Sequence, residues 1–203
     1  MARPYDNPPR LPEGERVDLH AFIPGHGPLE IEIGPGRGAF LLERAAAAPE
    51  ARLLAIEVRR KWATLVDQRL APTGRARVVC EDARIALARL GPDGSVARAY
   101  LHFPDPWWKK RHQKRLVLVD ALLDELARLL VEGGELFVQT DVPARAEQYA
   151  LRISSHRAFE PAGDTEGSPE LAHNPYGARS NREKRCEADG LPIHRLRWRR
   201  IAA

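Results

Sequence analysis

The chain has 203 residues, a formal net charge of +4 and a pI near 9.3, and 43% of its residues are hydrophobic. This length fits one domain whose core needs no metals or disulfides, so we do not expect a second large domain. No apolar run approaches the roughly 20 residues of a membrane span, and the start lacks the apolar core of a signal peptide. We therefore expect a cytoplasmic protein with no membrane partner, whose charge permits an anionic ligand.

Strand and helix patterns alternate along most of the chain. Residues 1–28, rich in Pro, Gly and charge, are predicted to form an irregular, partly mobile arm, and residues 29–203 a single domain. Strands are predicted at 29–33, 53–56, 77–80, 96–103 and 135–140, helices at 39–47, 60–70, 84–90, 116–130 and 144–155, and a closing strand within 191–201. The pair Gly133-Gly134 is predicted to end the helix over 116–130. This alternation indicates an α/β fold, a parallel sheet with helices on both faces.

A glycine-rich turn, Glu-Ile-Gly-Pro-Gly-Arg-Gly at residues 32–38, joins the first of these strands to the first helix. Without β-carbons at Gly34, Gly36 and Gly38, a ligand can lie against the backbone. The G-x-G-x-G spacing differs from the G-x-G-x-x-G of dinucleotide-binding turns, which argues against an NAD-dependent dehydrogenase. Taken alone, the glycines also fit a plain tight turn.

Two acidic residues follow the next two predicted strands. Glu57 lies about 20 residues beyond the glycines, where a carboxylate can accept both ribose hydroxyls of an adenosine. Asp82 follows the third strand and is placed to reach the adenine edge. Because ligands bind at the carboxyl ends of strands in open α/β sheets, these residues predict an adenosine-bearing cofactor. Each acid taken singly also fits a solvated surface position.

The segment 101–115, Leu-His-Phe-Pro-Asp-Pro-Trp-Trp-Lys-Lys-Arg-His-Gln-Lys-Arg, is the most informative stretch of the sequence. Two prolines fix the backbone on either side of Asp105, so its carboxylate is held at the end of the fourth strand. Trp107 and Trp108 can stack on a base, and the cationic run after them suits phosphates. A solvated charged loop is the alternative, but it leaves the tryptophans and the Pro-Asp-Pro unexplained.

Two motifs carry a resemblance to a known family. The glycine-rich turn with Ile56-Glu57-Val58 looks like the S-adenosylmethionine site of class I methyltransferases. The run Phe-Pro-Asp-Pro-Trp-x-Lys-x-Arg-His-x-Lys-Arg resembles the signature of the tRNA (guanine-N7)-methyltransferases, whose order of elements fits residues 30–140. The resemblance implies a Rossmann-like class I fold with a mostly parallel seven-stranded sheet, helices on both faces and an antiparallel C-terminal strand. It also implies S-adenosylmethionine as cofactor, tRNA as partner and N7 of a variable-loop guanine as the methyl acceptor.

The same resemblance implies roles for individual residues. Cofactor-binding residues would be Glu32 at the methionine end, Glu57 on the ribose, Asp82 near the adenine, the glycines 34, 36 and 38, and Asp105. Asp105 would also be the catalytic residue. Substrate-binding residues would be Lys109, Asp141, Ser180 and Glu183. RNA-binding residues would be Trp107, Lys110, Arg111, His112, Lys114 and Arg115.

Three positions depart from the family pattern. Ser180-Asn181-Arg182-Glu183 stands for Thr-x-Phe/Tyr-Glu, so Arg182 replaces an aromatic residue. Leu116 replaces a second arginine, and Trp108 stands where His or Pro is common.

Two other functions stay open. Asp-Pro-Trp-Trp at 105–108 is distantly similar to the loop of amino-directed nucleic-acid methyltransferases, which modify N6 of adenine or N2 of guanine. A silent RNA-binding module on the same fold is the other alternative, although the intact glycine turn and acids argue against it. Arg179, Arg182, Lys184 and Arg185 form either a second phosphate-contacting surface or a solvated face. We expect free thiols at Cys80 and Cys186, no metal, no obligate protein partner, and a monomer or homodimer.

Overall fold

The computed structural model describes residues 5–104 and 118–202. Its strands are β1 Val17–Asp18, β2 Leu29–Ile33, β3 Arg52–Ile56, β4 Ala76–Val79, β5 Leu90–Gly91, β6 Val96–His102, β7 Leu130–Thr140, β8 Phe159–Pro161 and β9 His194–Arg200. Its helices are α1 Leu19–Phe22, α2 Ala39–Ala47, α3 Arg60–Leu70, α4 Ala83–Arg89, α5 Asp120–Leu129, α6 Pro143–Ser154 and α7 Asn181–Ala188, with a 3-10 turn at Ala71–Thr73. No helix of this described part is long and apolar enough to cross a bilayer.

Seven strands form one sheet in the order β4-β3-β2-β6-β7-β9-β8. The first five run parallel, and β9 pairs antiparallel with both β7 and β8. The predicted fold class is therefore confirmed. Strand order reverses between β2 and β6, and ligands of open α/β sheets bind at the carboxyl ends of the strands at such a switch point.

Both faces of the sheet are buried, but they differ in chemistry. Because side chains alternate along a strand, β2, β6 and β7 each contribute to both faces. One face, called the aliphatic face, carries Ile31, Ala99, Leu101, Leu136 and Val138 and packs in one cluster with α4, α5 and α6. The other, called the polar face, carries Glu30, Glu32, Tyr100, His102, Phe137 and Gln139. Its aromatic residues pack against Phe40 of α2 and Tyr176.

The pair Gly133-Gly134 does not end a helix, so that prediction is wrong. Helix α5 ends at Leu129, because Leu130 is already extended (φ −67°, ψ 138°) and pairs with Val96. The glycines lie inside β7, where the pairing with β6 changes register. A Cβ on Gly134 would lie 2.8 Å from the Val131 carbonyl oxygen, so this irregular stretch requires its small residue.

Part of the predicted irregular arm is ordered. Leu11, Val17, Leu19 and Ile23 belong to the main hydrophobic core, and β1 pairs in parallel with β5. The Pro- and Gly-rich composition hid these spaced apolar residues, whose burial stabilises the segment against the body of the fold. The division into an arm and one domain stays a prediction.

Candidate functional site

A cavity of about 450 Å³ opens at the carboxyl ends of β2, β6 and β7. Four stretches line it: the glycine-rich turn, residues 102–104, residues 140–142 and residues 180–182. Five predicted site residues meet there, namely Glu32, Gly34, Gly36, Asp141 and Ser180. The cavity therefore lies at the switch point of the sheet, where the fold predicts a ligand.

Gly34 and Gly38 of the turn require glycine for different structural reasons. Gly34 has φ +73°, and nothing lies within 4 Å of the position of a Cβ, so its backbone faces open space beside the cavity. Gly38 has φ +75°, and its Cβ would lie 2.4 Å from a methyl carbon of Val66. Gly38 thus allows α2 and α3 to pack closely, and it does not line the cavity.

Glu32 and His102 form a buried pair in the cavity wall. The Nδ1–H of His102 donates to Oε1 of Glu32 at 2.8 Å, and the side chains are 2% and 1% exposed. Among the described residues, neither Glu32 Oε2 nor His102 Nε2 has a hydrogen-bond partner. Since buried polar atoms rarely stay unpaired, these two point to a ligand. His102 was not among the predicted site residues, although a polar residue at the carboxyl end of a buried strand was a usable signal.

The backbone bends sharply where β6 ends. Phe103 has φ +49°, an uncommon value for a residue other than glycine, and it directly precedes Pro104. Its N–H donates to the Gln139 carbonyl at 2.8 Å, which fixes the bend to β7. Phe103 and Pro104 both line the cavity. The predicted residues that follow lie outside the described residues: Asp105, Trp107, Lys109, Lys110, Arg111, His112, Lys114 and Arg115.

The carboxylate of Glu57 is tied to the glycine-rich turn. The Gly36 N–H donates to its Oε2 at 2.9 Å, and the Arg59 N–H donates to its Oε1 at 2.9 Å. The Arg59 guanidinium also bonds both oxygens, at 3.1 and 3.3 Å, from a side chain that is 60% exposed. Glu57 therefore lies beside the turn, but Arg59 occupies its acceptors and Glu57 does not line the cavity, so its contact with a ribose stays a prediction.

Asp82 caps a helix. Its side chain accepts from the Arg84 N–H at 3.0 Å at the start of α4 and pairs with the Arg84 guanidinium at 2.5 Å. The hydrogen bond from Arg84 lowers the pKa of Asp82. Asp82 does not line the cavity, so its contact with an adenine stays a prediction.

The departure at Arg182 has a structural counterpart. Arg182 bonds Oδ2 of Asp141 through Nε at 3.1 Å and through Nη2, and both residues line the cavity. This hydrogen bond raises the pKa of Arg182. No described residue bonds the other oxygen of Asp141. Arg182 therefore stands where the family has an aromatic residue, and it occupies one of the two carboxylate oxygens of Asp141, a predicted substrate contact.

Ser180 and Glu183 lie at the start of α7, a helix that is absent from the predicted elements. The Ser180 hydroxyl accepts from the Glu183 N–H at 3.1 Å, the first half of a Ser-x-x-Glu capping pattern that was readable from the sequence. The Glu183 carboxylate is fully buried and accepts from Arg195 and Asn174. Ser180 lines the cavity, whereas Glu183 lies behind the wall and supports it.

Comparisons with known proteins identify the family. Residues 26–196 match the family model described as "Putative methyltransferase". The tRNA (guanine-N(7)-)-methyltransferase of Myxococcus xanthus is 37% identical over 84% of this chain and 82% of its own length. The protein of the same name from Anaeromyxobacter dehalogenans is 39% identical over 84% of this chain and 85% of its own. This chain belongs to the tRNA (guanine-N7)-methyltransferase family.

Solved structures agree with this family's fold. The 16S rRNA methyltransferase KamB matches with a TM-score of 0.63 at 15% identity, over 91% of both chains. The N-methyltransferase NodS of Bradyrhizobium japonicum, in complex with S-adenosyl-L-homocysteine, matches with a TM-score of 0.53 at 14% identity, over 86% of this chain and 79% of its own. At these identities the likeness shows a shared methyltransferase fold.

The cations of α7, and Arg179 just before it, are balanced by acids. Four ion pairs hold them: Arg179 with Glu187, Arg182 with Asp141, Lys184 with Glu43, and Arg185 with Asp189. Paired cations leave little net field for phosphates, so the geometry favours a solvated face over a second phosphate-contacting surface.

In this family member both cysteines are free, and burial raises the pKa of each thiol.

Proposed function

We propose that the protein transfers a methyl group from S-adenosylmethionine to N7 of a guanine in tRNA. Curated relatives with that activity in their name are 30–39% identical over most of the chain, which supports N7 of guanine as the target. Neither amino-directed methylation nor a silent RNA-binding module is favoured by these names. The cytoplasmic location and the choice between monomer and homodimer stay predictions.

The half-satisfied carboxylate of Glu32 is the structural observation that carries the cofactor part of this proposal. Its Oε1 is held by His102, and its Oε2 is buried beside the glycine-rich turn with no partner among the described residues. An unpaired buried acceptor costs about 1–3 kcal/mol, more when it is charged. The ammonium of the cofactor's methionine end is a donor that fits this oxygen. The residues present therefore suit the cofactor.

The rest of the cofactor site follows the carboxyl edge of the sheet. Glu57 would accept the ribose hydroxyls once the Arg59 guanidinium gives up its contacts, because those contacts use the same oxygens. The Gly36 N–H would keep the carboxylate in place during this exchange. Gly34 would let the cofactor approach the backbone, and Asp82 would lie near the adenine.

The chemistry needs little from the protein beyond position and charge. When bound, the cofactor supplies an electrophilic methyl group on a sulfonium. Guanine N7 has a free lone pair and carries no proton, so no general base is required. The residues of this chain would align the acceptor and offset the positive charge that develops on the purine. Because Arg182 already neutralises much of Asp141, we assign the main counter-charge to Asp105.

Base recognition and RNA binding would be divided among the remaining residues. The open oxygen of Asp141, together with Asp105, can accept from the N1 and N2 edge of guanine, which selects guanine over adenine. Ser180 would contact the substrate from the cavity wall, and Lys109 from the segment after Pro104. RNA would be held by Trp107, Lys110, Arg111, His112, Lys114 and Arg115.

Mass spectrometry of nucleosides tests the reaction directly. Unmodified tRNA incubated with the protein and labelled S-adenosylmethionine should yield 7-methylguanosine. Asp105→Ala should abolish transfer while calorimetric affinity for the cofactor changes much less. N6-methyladenosine or N2-methylguanosine as the product would contradict the proposed target. Absence of binding heat with S-adenosylmethionine would contradict the proposed enzyme.

A further inference from the structure

A second groove adjoins the cavity on the outer side of α2, α3 and α7. Arg37, Trp62, Arg69 and Lys184 are among its lining residues. Arg37 and Asn181 line both this groove and the cavity, so the two are continuous. A ligand that enters the cavity can therefore extend along the groove, which we call the α2–α3 groove.

Unpaired cations dominate this groove. Arg37 and Arg69 line the groove, and Lys61 lies beside its Trp62; all three are exposed, and no acidic partner is found for them among the residues that the structure describes. The acid of the groove, Glu43, is already bonded to Lys184 at 2.5 Å. The groove therefore has a net positive charge, in contrast to the balanced ion pairs of α7.

Trp62 holds two of these cations in place. The guanidinium carbon of Arg37 lies 5.3 Å from the Trp62 ring centre, and Nζ of Lys61 lies 5.1 Å from it. Both distances are within the range of a cation–π interaction. Arg69 lies seven residues after Trp62 on α3, which is two turns and roughly 10 Å along the same side of the helix. The cations therefore form a row from the mouth of the cavity outward.

We propose that the α2–α3 groove binds the sugar-phosphate backbone of the tRNA as it leaves the cavity. This inference rests on the proposed function, because it takes the occupant of the cavity to be a base of the same RNA. Backbone phosphates are the anions that such a row of cations suits, and phosphate contacts position a nucleic acid without reading its sequence. The groove lies against α2 and α3, elements separate from the cationic run at 109–115.

Substitution of the row should change the salt dependence of tRNA binding. The pair Arg37→Ala with Arg69→Ala should weaken tRNA binding and reduce the slope of log K against log salt by roughly 1.5, since each lost phosphate contact removes about 0.7–0.9. Arg69→Ala alone should give about half of this reduction. Because Arg69 does not line the cavity, this single variant tests the groove without changing the cavity wall. The measurement is fluorescence titration of labelled tRNA at several salt concentrations.

A matched control removes two exposed cations at the other end of the sheet, Arg157 before the edge strand β8 and Arg199 on β9, as Arg157→Ala with Arg199→Ala. This pair should leave the slope unchanged. The proposed phosphate contact is contradicted if Arg69→Ala and the double variant Arg37→Ala with Arg69→Ala both keep the wild-type salt slope. It is also contradicted if the control pair reduces the slope as much as the double variant does. The two proposals can fail separately. If the wild-type protein makes no 7-methylguanosine but Arg69→Ala still reduces the salt slope of tRNA binding, the proposed function is contradicted and the RNA-binding groove is supported.

Discussion

Glu30 and Glu32 are two residues apart on β2, on the same buried face of the sheet, and their surroundings differ. Glu30 accepts from Arg44, Arg98 and Tyr100. Burial raises the pKa of Glu30, but the hydrogen bonds from Arg44 and its other partners outweigh that effect and lower it. Glu32 has one partner, His102, and a free buried oxygen among the described residues. A structural carboxylate is saturated by the protein, whereas one that awaits a ligand is left half open.

The same contrast separates the two faces of the sheet. On the aliphatic face, Ile31, Leu101 and Val138 are fully buried and need no partner. On the polar face, the unpaired atoms gather at the cavity end, in Glu32, His102 and the amide of Gln139. The aliphatic face therefore supplies stability, and the cavity end of the polar face gives up some stability for binding.

The largest expected effect is on the aliphatic face. Leu101→Ala should lower the free energy of unfolding by about 2–5 kcal/mol, because it leaves a cavity among fully buried side chains. Urea denaturation measures this change. The folded variant should still bind S-adenosylhomocysteine with nearly unchanged affinity. A large loss of that affinity would contradict the assignment of stability to the aliphatic face and of binding to the polar face.

A smaller effect is expected one residue later, on the other face. His102→Phe keeps a ring in the aromatic cluster but removes the donor to Glu32, and we expect roughly tenfold weaker binding of S-adenosylhomocysteine. Methylthioadenosine, which lacks the amino-acid end, should bind as to wild type. His102→Asn, whose amide can donate in place of Nδ1, should recover most of the loss. Equal losses for both ligands would mean that His102 serves packing and does not position Glu32.

The smallest effect is expected at Glu57. Arg59→Ala should tighten cofactor binding by about two- to fivefold, because an exposed ion pair worth about 0.2–1 kcal/mol no longer competes for the carboxylate. Arg60→Ala, which removes a neighbouring exposed cation without a contact to Glu57, is the control. Calorimetry with S-adenosylhomocysteine measures both variants. Weaker binding in Arg59→Ala would show that Arg59 supports the cofactor site.

Sequence patterns predicted the parts of the fold that depend on local order. The strands β2, β3, β4, β6 and β7 lie within a few residues of their predicted positions, apart from the early start of β7, and the glycine-rich turn joins β2 to α2. Periodicity and turn chemistry are local, so they can be read along the chain. Helix α7 was missed even though its Ser-x-x-Glu cap is equally local.

Contacts between distant residues could not be predicted in this way. Arg182 bonds Asp141 from 41 positions away, and His102 bonds Glu32 from 70. Whether a carboxylate is saturated or open depends on which side chains the fold brings to it. Family patterns identified Glu32 and Asp141, but neither their partners nor the free oxygens that remain could be read from the sequence.

The place of β9 in the sheet gives the cavity a late position in the order of assembly. β9 lies between β7 and β8, so β8 is synthesised before the strand that joins it to the sheet. Arg195 of β9 also pairs with Glu183, and this contact ties α7 and its cavity-lining first turn to the sheet. A growing polypeptide that stops short of residue 194 would display the glycine-rich turn while α7 still lacks its contact with Arg195. Completion of this wall of the cavity would then have to wait until β9 has emerged from the ribosome.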